Sequence, residues 1–147
     1  MLITNHVLSG AVVGHLSPGP VTALLAGVAS HAALDAVPHF GVDDEDLMRV
    51  AVPDGLTGLA AIAAVLGTTP RGRRLRVAAG IFGACLPDLD KPGRQFFGRS
   101  PFPAVVDELH GRIQSESPRR FGVELAAAAL WLTLLRRLAR PGRHRRA

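Results

Sequence analysis

Apolar and small residues form five long stretches along the chain, and short polar segments rich in proline and glycine separate them. Ala, Leu, Val and Gly dominate these stretches, a composition that suits closely packed helices better than a β-sandwich. A sixth segment, AVVDELHGRI, repeats apolar residues at the spacing of a short amphipathic helix. The pattern predicts an all-α bundle of about five apolar helices plus one short amphipathic helix, over about 4–16, 21–36, 53–68, 75–86, 104–113 and 121–140.

Proline and glycine mark where the predicted helices end and the chain turns. The predicted connections are SPGP at 17–20, the acidic segment GVDDED at 41–46, TTPRGRR at 68–74 and DLDKPGRQFFGRSPFP at 88–103. Pro53 fits the first turn of the third helix. We therefore expect one helical domain over residues 1–140, followed by a basic tail over 141–147.

Charge is divided unevenly along the chain, which carries a net charge of +5. Two arginine clusters, at 71–76 and 136–146, contain no acidic residue and no aromatic residues that could stack on bases, which argues against a nucleic-acid partner. Because basic residues near membrane ends resist translocation, we expect an integral membrane protein whose basic loops and C-terminus are cytoplasmic and whose polar site is extracytoplasmic. No apolar stretch is a clean run of about 20 residues, so a soluble helical bundle is the alternative.

Potential metal ligands converge at one end of the bundle if each predicted helix reverses the chain direction. His31 and Asp35 share one helix face at a spacing of four, which is compatible with joint ligation of a metal ion. The residues that meet at this end are His6, His31, Asp35, His39, Asp54, Asp88, Asp90, His110 and Glu124. Capping or buried ion pairing is the alternative for each of them.

Imidazole and carboxylate ligands together suit Zn²⁺, and also Mn²⁺ or Fe²⁺, as one ion or two. A metal-assisted hydrolase then needs a proton acceptor, for which Asp90 and Asp54 are the candidates. Arg94, Arg99 and Arg112 are candidates for holding a phosphate. Cys85 is the only cysteine, which excludes an intramolecular disulfide and a zinc finger.

The segments NHVLSGAVVGH, SHAALDAVPH and LPDLDKP resemble the signature segments of the membrane-bound metal-dependent hydrolases, whose relatives include the zinc-dependent phospholipase C group. The resemblance implies a metal site built from His6, His31, Asp35, Asp88 and Asp90. The order of the segments departs from the usual family pattern, and LHGRIQSE offers the single His110.

Two other functions fit the same residues. A non-catalytic membrane scaffold or partner-binding subunit would use them for a structural metal or a buried ion-pair cluster. A soluble, basic nucleic-acid-binding bundle would not need them. The expected partners of the hydrolase are membrane lipid and a phosphoester or lipid-like substrate, and a homo-oligomer is compatible with either membrane function.

Overall fold

The computed structural model describes residues 1–139 of the chain, apart from the side chain of Asp44. The described part is all-helical, as predicted, with no strand and a single isolated β-bridge between His39 and Glu116. Its seven α-helices are α1 (Ile3–Leu16), α2 (Pro20–Asp35), α3 (Asp44–Thr68), α4 (Arg71–Cys85), α5 (Asp90–Phe97), α6 (Ala104–Ile113) and α7 (Phe121–Ala139). Short 3₁₀ turns, Pro87–Leu89 and Pro118–Arg120, precede α5 and α7.

Glycines let three helix backbones approach each other closely at the centre of the bundle, where α4 packs against both α1 and α2. A Cβ added at Gly10 would lie 2.6 Å from the carbonyl oxygen of Gly80, and one at Gly27 would also collide with that oxygen. Gly83 faces the backbone of Leu24 in the same way. This packing brings the start of α1 and the ends of α2 and α4 to the same end of the molecule.

The buried apolar core is small and lies between α1 and α4. It consists of Val7, Ala11, Val77 and Ile81, with side chains of α3 and α7 packed against it. Several polar side chains at one end are as deeply buried as this core, among them His6, His31 and Asp35. The molecule therefore has a polar interior at that end.

The predicted starts of α3 and α4 are wrong, whereas their predicted ends, at about 68 and 86, agree with the structure to within one residue. α3 begins at Asp44, so the acidic segment is its first turn and Pro53 lies inside the helix. α4 begins at Arg71, directly after Pro70. Proline fixes its own backbone and restricts the residue before it. Neither effect determines whether a helix begins at the proline or at another nearby position.

The connection predicted after α4 is also wrong, because much of it is helical. Pro92 lies in the first turn of α5, where the missing N–H costs nothing. Gly98 ends α5 with a φ of 68°, a left-handed conformation that favours glycine. This extra helix carries Asp90 and Lys91 to the polar end.

One described helix is long and apolar enough to cross a membrane, the segment Glu45–Thr68 of α3, and 6% of its apolar stretch is buried inside the protein. Large apolar side chains on other helices are exposed as well, among them Leu25, Leu75, Phe82 and Leu125. The predicted basic tail at 141–147, together with Arg140, lies outside the described residues.

Candidate metal centre

Asp35 lies at the centre of a buried polar cluster, and three histidines from three helices surround its carboxylate. Its Oδ2 is 3.0 Å from His31 Nε2 and 3.2 Å from His110 Nε2, while its Oδ1 is 3.2 Å from His6 Nε2. The side chain of Gln114 donates to Oδ2 at 3.2 Å. The amino group of Met1 lies 2.9 Å from Oδ1. His6, His110 and the pair His31 and Asp35 come from positions far apart in the chain.

The backbone of α4 fixes the orientation of the His31 ring. Nδ1 of His31 lies 2.8 Å from the carbonyl oxygen of Ala84. Because a carbonyl oxygen can only accept a hydrogen bond, Nδ1 must carry the proton and donate it. The Nε2 atom of the neutral ring therefore carries a lone pair, and it lies 3.1 Å from His110 Nε2. Two imidazole nitrogens that face one carboxylate need a shared proton or a cation between them.

His6 and Asp88 complete the cluster, and Asp88 Oδ1 also lies 3.8 Å from Nε2 of His110. The ring of His6 stacks on that of His31 with centroids 4.1 Å apart, and its Nε2 is 3.7 Å from Asp88 Oδ2. His6 is fully buried and its Nδ1 has no hydrogen-bond partner among the described residues, while the 3.2 Å contact of its Nε2 with Asp35 Oδ1 lacks hydrogen-bond geometry. Buried nitrogens without partners are costly unless a ligand satisfies them.

The donor set fits one divalent cation. His31, Asp35, Asp88 and His110 each offer one ligand atom, and these four atoms lie within 4.8 Å of one another. Ligands that each lie about 2.0–2.2 Å from Zn²⁺ are themselves roughly 3–4 Å apart. The shorter separations in the group fall in this range, from 3.0 Å between Asp35 Oδ2 and His31 Nε2 to 3.8 Å between Asp88 Oδ1 and His110 Nε2. Two imidazoles and two carboxylates suit Zn²⁺, Mn²⁺ or Fe²⁺. The group could hold a metal ion, as the sequence predicts, without specifying which metal.

Surrounding groups would orient these ligands. Asp90 Oδ2 lies 3.5 Å from Nδ1 of His110, on the other side of the ring from Asp35. The carbonyl oxygen of Ala84 accepts a hydrogen bond from His31, and the amide of Gln114 contacts both Asp35 and His110. Carboxylate and carbonyl partners of this kind fix the tautomer of a ligating histidine and strengthen it as a ligand.

Lys91 provides positive charge at the edge of the cluster. Its Nζ is 3.1 Å from Asp88 Oδ1 and 3.9 Å from Glu116 Oε1. Burial opposes the charged form of Lys91, but Asp88 and Glu116 outweigh it and hold the pKa of Lys91 above its ordinary value. Burial likewise raises the pKa of Asp88, whereas Lys91, His6 and His31 outweigh that effect, so the net shift is downward. Asp88 is therefore available as an anionic ligand at neutral pH.

Asp54, predicted as a proton acceptor, lies at the start of α1 instead. It accepts the backbone N–H of Ile3 at 2.6 Å and the N–H and hydroxyl of Thr4 at 3.2 and 2.5 Å. These donors are the ones that the first turn of a helix leaves unsatisfied. The structure thus gives Asp54 a capping contact between α3 and α1 and does not bring it into the cluster.

The three arginines predicted to hold a phosphate are also outside the cluster. Arg94 pairs with Asp107 at 2.7 Å, and Arg112 lies 3.6 Å from Glu108 on the exposed face of α6. Arg94 and Arg99 line a separate surface cavity of about 520 Å³. The structure therefore brings together His6, His31, Asp35, Asp88, Asp90 and His110, and it leaves out Asp54, Arg94, Arg99 and Arg112.

Sequence reasoning did not select Lys91 or Gln114. Gln114 follows His110 by four positions, the same helical spacing that relates His31 to Asp35, and this spacing could have indicated it. Lys91 follows Asp88 by three positions. Glu124 joins the same end with a structural role, because it is buried and accepts from Asn5 at 2.6 Å and from the N–H groups of Leu2 and Phe40.

Comparisons of the chain with the models of known protein families, with curated proteins and with solved structures find no match to it.

Proposed function

We propose that this protein is a membrane-bound, metal-dependent hydrolase that acts on a phosphoester or lipid-like substrate. The observation that carries the proposal is the set of four buried ligand atoms from His31, Asp35, Asp88 and His110 within 4.8 Å of one another. The resemblance of three segments to the membrane-bound metal-dependent hydrolases supports it, because those segments supply His6, His31, Asp35, Asp88 and Asp90. Zn²⁺ is the metal that we propose.

A divalent cation at this centre would lower the pKa of a bound water towards about 7 and polarise a phosphoryl oxygen. Asp35 and Asp88 provide the negative charge that holds the cation, and His6 stands beside both carboxylates. Asp90 is the proposed proton acceptor, because its Oδ1 is buried and has no hydrogen-bond partner among the described residues. Asp90 would take a proton from the attacking water as the new phosphorus–oxygen bond forms and the ester phosphorus–oxygen bond breaks, and it would then give that proton to the leaving alkoxide.

The apolar exterior supports placement of the bundle in a membrane. Leu25 on α2, Leu56 on α3, Leu75 on α4 and Leu125 on α7 are each at least 60% exposed. So many exposed large apolar side chains are unusual on a soluble monomer. We propose that lipid covers it, with the metal centre on the extracytoplasmic side and the arginines of α4 on the cytoplasmic side.

A second candidate function is a non-catalytic membrane scaffold, and the contact between Lys91 and Asp88 favours it. Lys91 compensates one carboxylate without any metal, as in a buried ion-pair cluster. In that case removal of metal changes nothing in the protein. The two functions therefore differ in a property that can be measured on the purified protein.

Metal analysis and chelation test the proposal directly. Protein purified in detergent should contain about one Zn²⁺, and removal of the metal should lower its melting temperature. His31→Ala, Asp35→Ala and Asp88→Ala should each lower metal affinity by at least about tenfold, and the losses should not add because one missing ligand disrupts the whole centre.

His15→Ala is the matched control, because His15 lies at the opposite end of the bundle against Thr69. This variant should bind metal normally. A melting temperature that exhaustive chelation leaves unchanged, in protein shown to contain no metal at the start, would contradict the hydrolase proposal and favour the scaffold.

A further inference from the structure

An apolar cavity of about 840 Å³ lies next to the metal centre. Its walls come from one face of α3, the start of α1, the segment around Phe40 and the start of α5. Its polar lining consists of Asp54, Asp88, Lys91, Gln95, Gln114 and Glu116, of which Asp88 and Gln114 also belong to the polar cluster. The apolar walls are formed by Leu2, Ile3, Val7, Leu47, Met48, Val50, Leu59, Ile62 and Phe96, among others.

The cavity exists because α3 is longer than the helices beside it. Asp54 holds α3 against the first residues of α1, so the part of α3 before Asp54 extends beyond the start of α1. Ten residues of helix span about 15 Å. This extension, with Leu47 and Met48 on its inner side, forms a wall opposite Phe96 of α5. The early start of α3, which the sequence did not predict, therefore creates the cavity.

We propose that this cavity binds the single apolar chain of an anionic substrate, an alkyl phosphoester whose phosphate lies between Lys91 and the metal centre. This inference rests on the proposed function and narrows its substrate class. A volume of about 840 Å³ is in the range of cavities that enclose small-molecule ligands. Apolar walls with polar groups at one end match a ligand that is apolar along its length and charged at one end.

Lys91 is the feature that specifies a negative head group. It is the only basic side chain among the described residues that line the cavity. An ammonium group has three N–H donors, and Asp88 Oδ1, 3.1 Å from Nζ, occupies one of them. Glu116 Oε1, at 3.9 Å, is an ion-pair partner beyond hydrogen-bond distance. Donors of Lys91 are therefore free for a phosphate oxygen, and a cation that shares the carboxylate of Asp88 would reduce the repulsion between that carboxylate and the phosphate.

Two glycines on α3 provide a matched pair of variants. Gly55 lines the cavity, and a Cβ at this position meets no atom within 4 Å, so Gly55→Leu can begin its side chain without a clash and reduces the space in the cavity. Gly67 is near the other end of the same helix, is exposed, and also has open space around a Cβ. Gly67→Leu therefore makes the same chemical change on the same helix away from the cavity.

The experiment uses the full chain in lipid nanodiscs, loaded with Zn²⁺, and two photoreactive probes. One is a dodecyl phosphate with a diazirine at the end of the chain, and the other is the corresponding dodecyl alcohol. Cross-linked peptides are identified by mass spectrometry. The phosphate probe should label α3 between Leu47 and Ile62, about tenfold more than the alcohol does, because a charge-assisted hydrogen bond is lost with the phosphate.

Gly55→Leu should abolish this labelling, and Gly67→Leu should leave it unchanged. Lys91→Met should reduce labelling by the phosphate probe to the level of the alcohol, with zinc content measured on the same sample. The inference is overturned if Gly55→Leu has no effect, if label spreads equally to the outward residues Leu25 and Leu125, or if the two probes label the wild type equally.

Failure of the proposed function gives a different result. If the protein contains no metal, but the alcohol probe still labels α3 and Gly55→Leu still prevents it, the hydrolase is contradicted while the chain-binding cavity is supported. Inorganic phosphate that competes with the phosphate probe only in the zinc-loaded protein would support the head-group position at the metal centre.

Discussion

Asp90 and Asp35 contact opposite nitrogens of the His110 ring, and this arrangement gives Asp90 two roles that an experiment can separate. As an orienting partner, Asp90 would hold the ring so that Nε2 faces the cation. As a proton acceptor, it would act through its second oxygen, which is buried and unpaired among the described residues. The roles differ in whether they affect metal affinity or turnover.

Asp90→Asn is predicted to lower kcat by about 10²–10⁴ while zinc content stays near that of the wild type, because the amide keeps the shape of the side chain but cannot accept the proton. Turnover of an alkyl phosphoester and metal content are measured on the same preparation. If metal affinity falls about tenfold or more and kcat at saturating zinc is unchanged, Asp90 is a positioning residue only.

The pH dependence of the metal centre follows from His110. The hydrogen bond with Asp35, helped by Asp88 and Asp90, outweighs burial and holds the pKa of His110 above 6.5 in the metal-free protein. That pairing stabilises metal-free protein fully below pH 6.5, and the contribution is lost as the pH rises through the raised pKa. Metal binding needs the neutral ring, so protons compete with the metal over the same range.

The increase in melting temperature that zinc produces should therefore grow from pH 6 to pH 8. Differential scanning calorimetry of zinc-loaded and chelated protein at each pH measures this increase. His15→Ala is the control, and its zinc effect should depend on pH as in the wild type. A zinc effect that is constant with pH would contradict the assignment of His110 as a ligand.

The sequence predicted the residues at the centre better than their individual roles. His31 and Asp35 could be paired from their spacing of four, and reversal of the chain at each loop brought His6, Asp88 and His110 to the same end. The contact of Asp54 with α1 could not be predicted, because it depends on how far α3 slides along α1. Asp54 accepts hydrogen bonds from the first turn of α1 because of where α3 lies along α1, and the residues beside Asp54 in the sequence do not indicate this.

At the scale of the helices, the close approach of α1, α2 and α4 holds the centre together. His6 lies on α1, His31 and Asp35 lie on α2, and the carbonyl oxygen of Ala84 on α4 orients His31. Small residues permit this approach. The composition of the chain predicted close packing, but a single sequence does not indicate which glycine faces which backbone. α5 was not predicted for a related reason. Pro92 and Gly93 together are typical of a loop, and the sequence does not indicate that Pro92 lies in the first turn of a helix, where proline is tolerated.

Gly80→Ala is predicted to destabilise the protein by about 1–3 kcal/mol and to lower zinc affinity. Its new Cβ would meet the carbonyl oxygen of Gly10 and lie 3.0 Å from Cα of Gly14, so α1 must move away from α4. Thermal unfolding and zinc titration measure the two effects. Gly72→Ala is the control on the same helix, where a Cβ meets nothing within 4 Å, and it should stabilise by about 0.4–1 kcal/mol. Equal behaviour of the two variants would contradict the packing argument.

At the scale of the whole molecule, polarity is divided between two ends. The metal cluster lies at the end formed by the start of α1 and the ends of α2 and α4, while the arginines of α4 lie at the other end, where Arg76 donates to the carbonyl oxygen of Ser17. Exposed apolar side chains occupy the surface between these ends. A bilayer matches this order, because it accepts apolar surface in the middle and resists translocation of basic residues.

This division predicts that the two ends of α3 and α4 are on opposite sides of the inner membrane of a bacterial host used for expression. Cys85 is the only cysteine, so Cys85→Ser gives a background without thiols. Glu45→Cys then reports the metal-centre end, and Gly72→Cys reports the arginine end; both positions are exposed. A membrane-impermeant maleimide applied to cells with a permeabilised outer membrane should label Glu45→Cys, and it should label Gly72→Cys only after the inner membrane is disrupted.

The reverse labelling pattern would contradict the proposed orientation. Recovery of both variants in the soluble fraction would contradict the membrane placement, because the apolar exterior would then need a cover other than lipid.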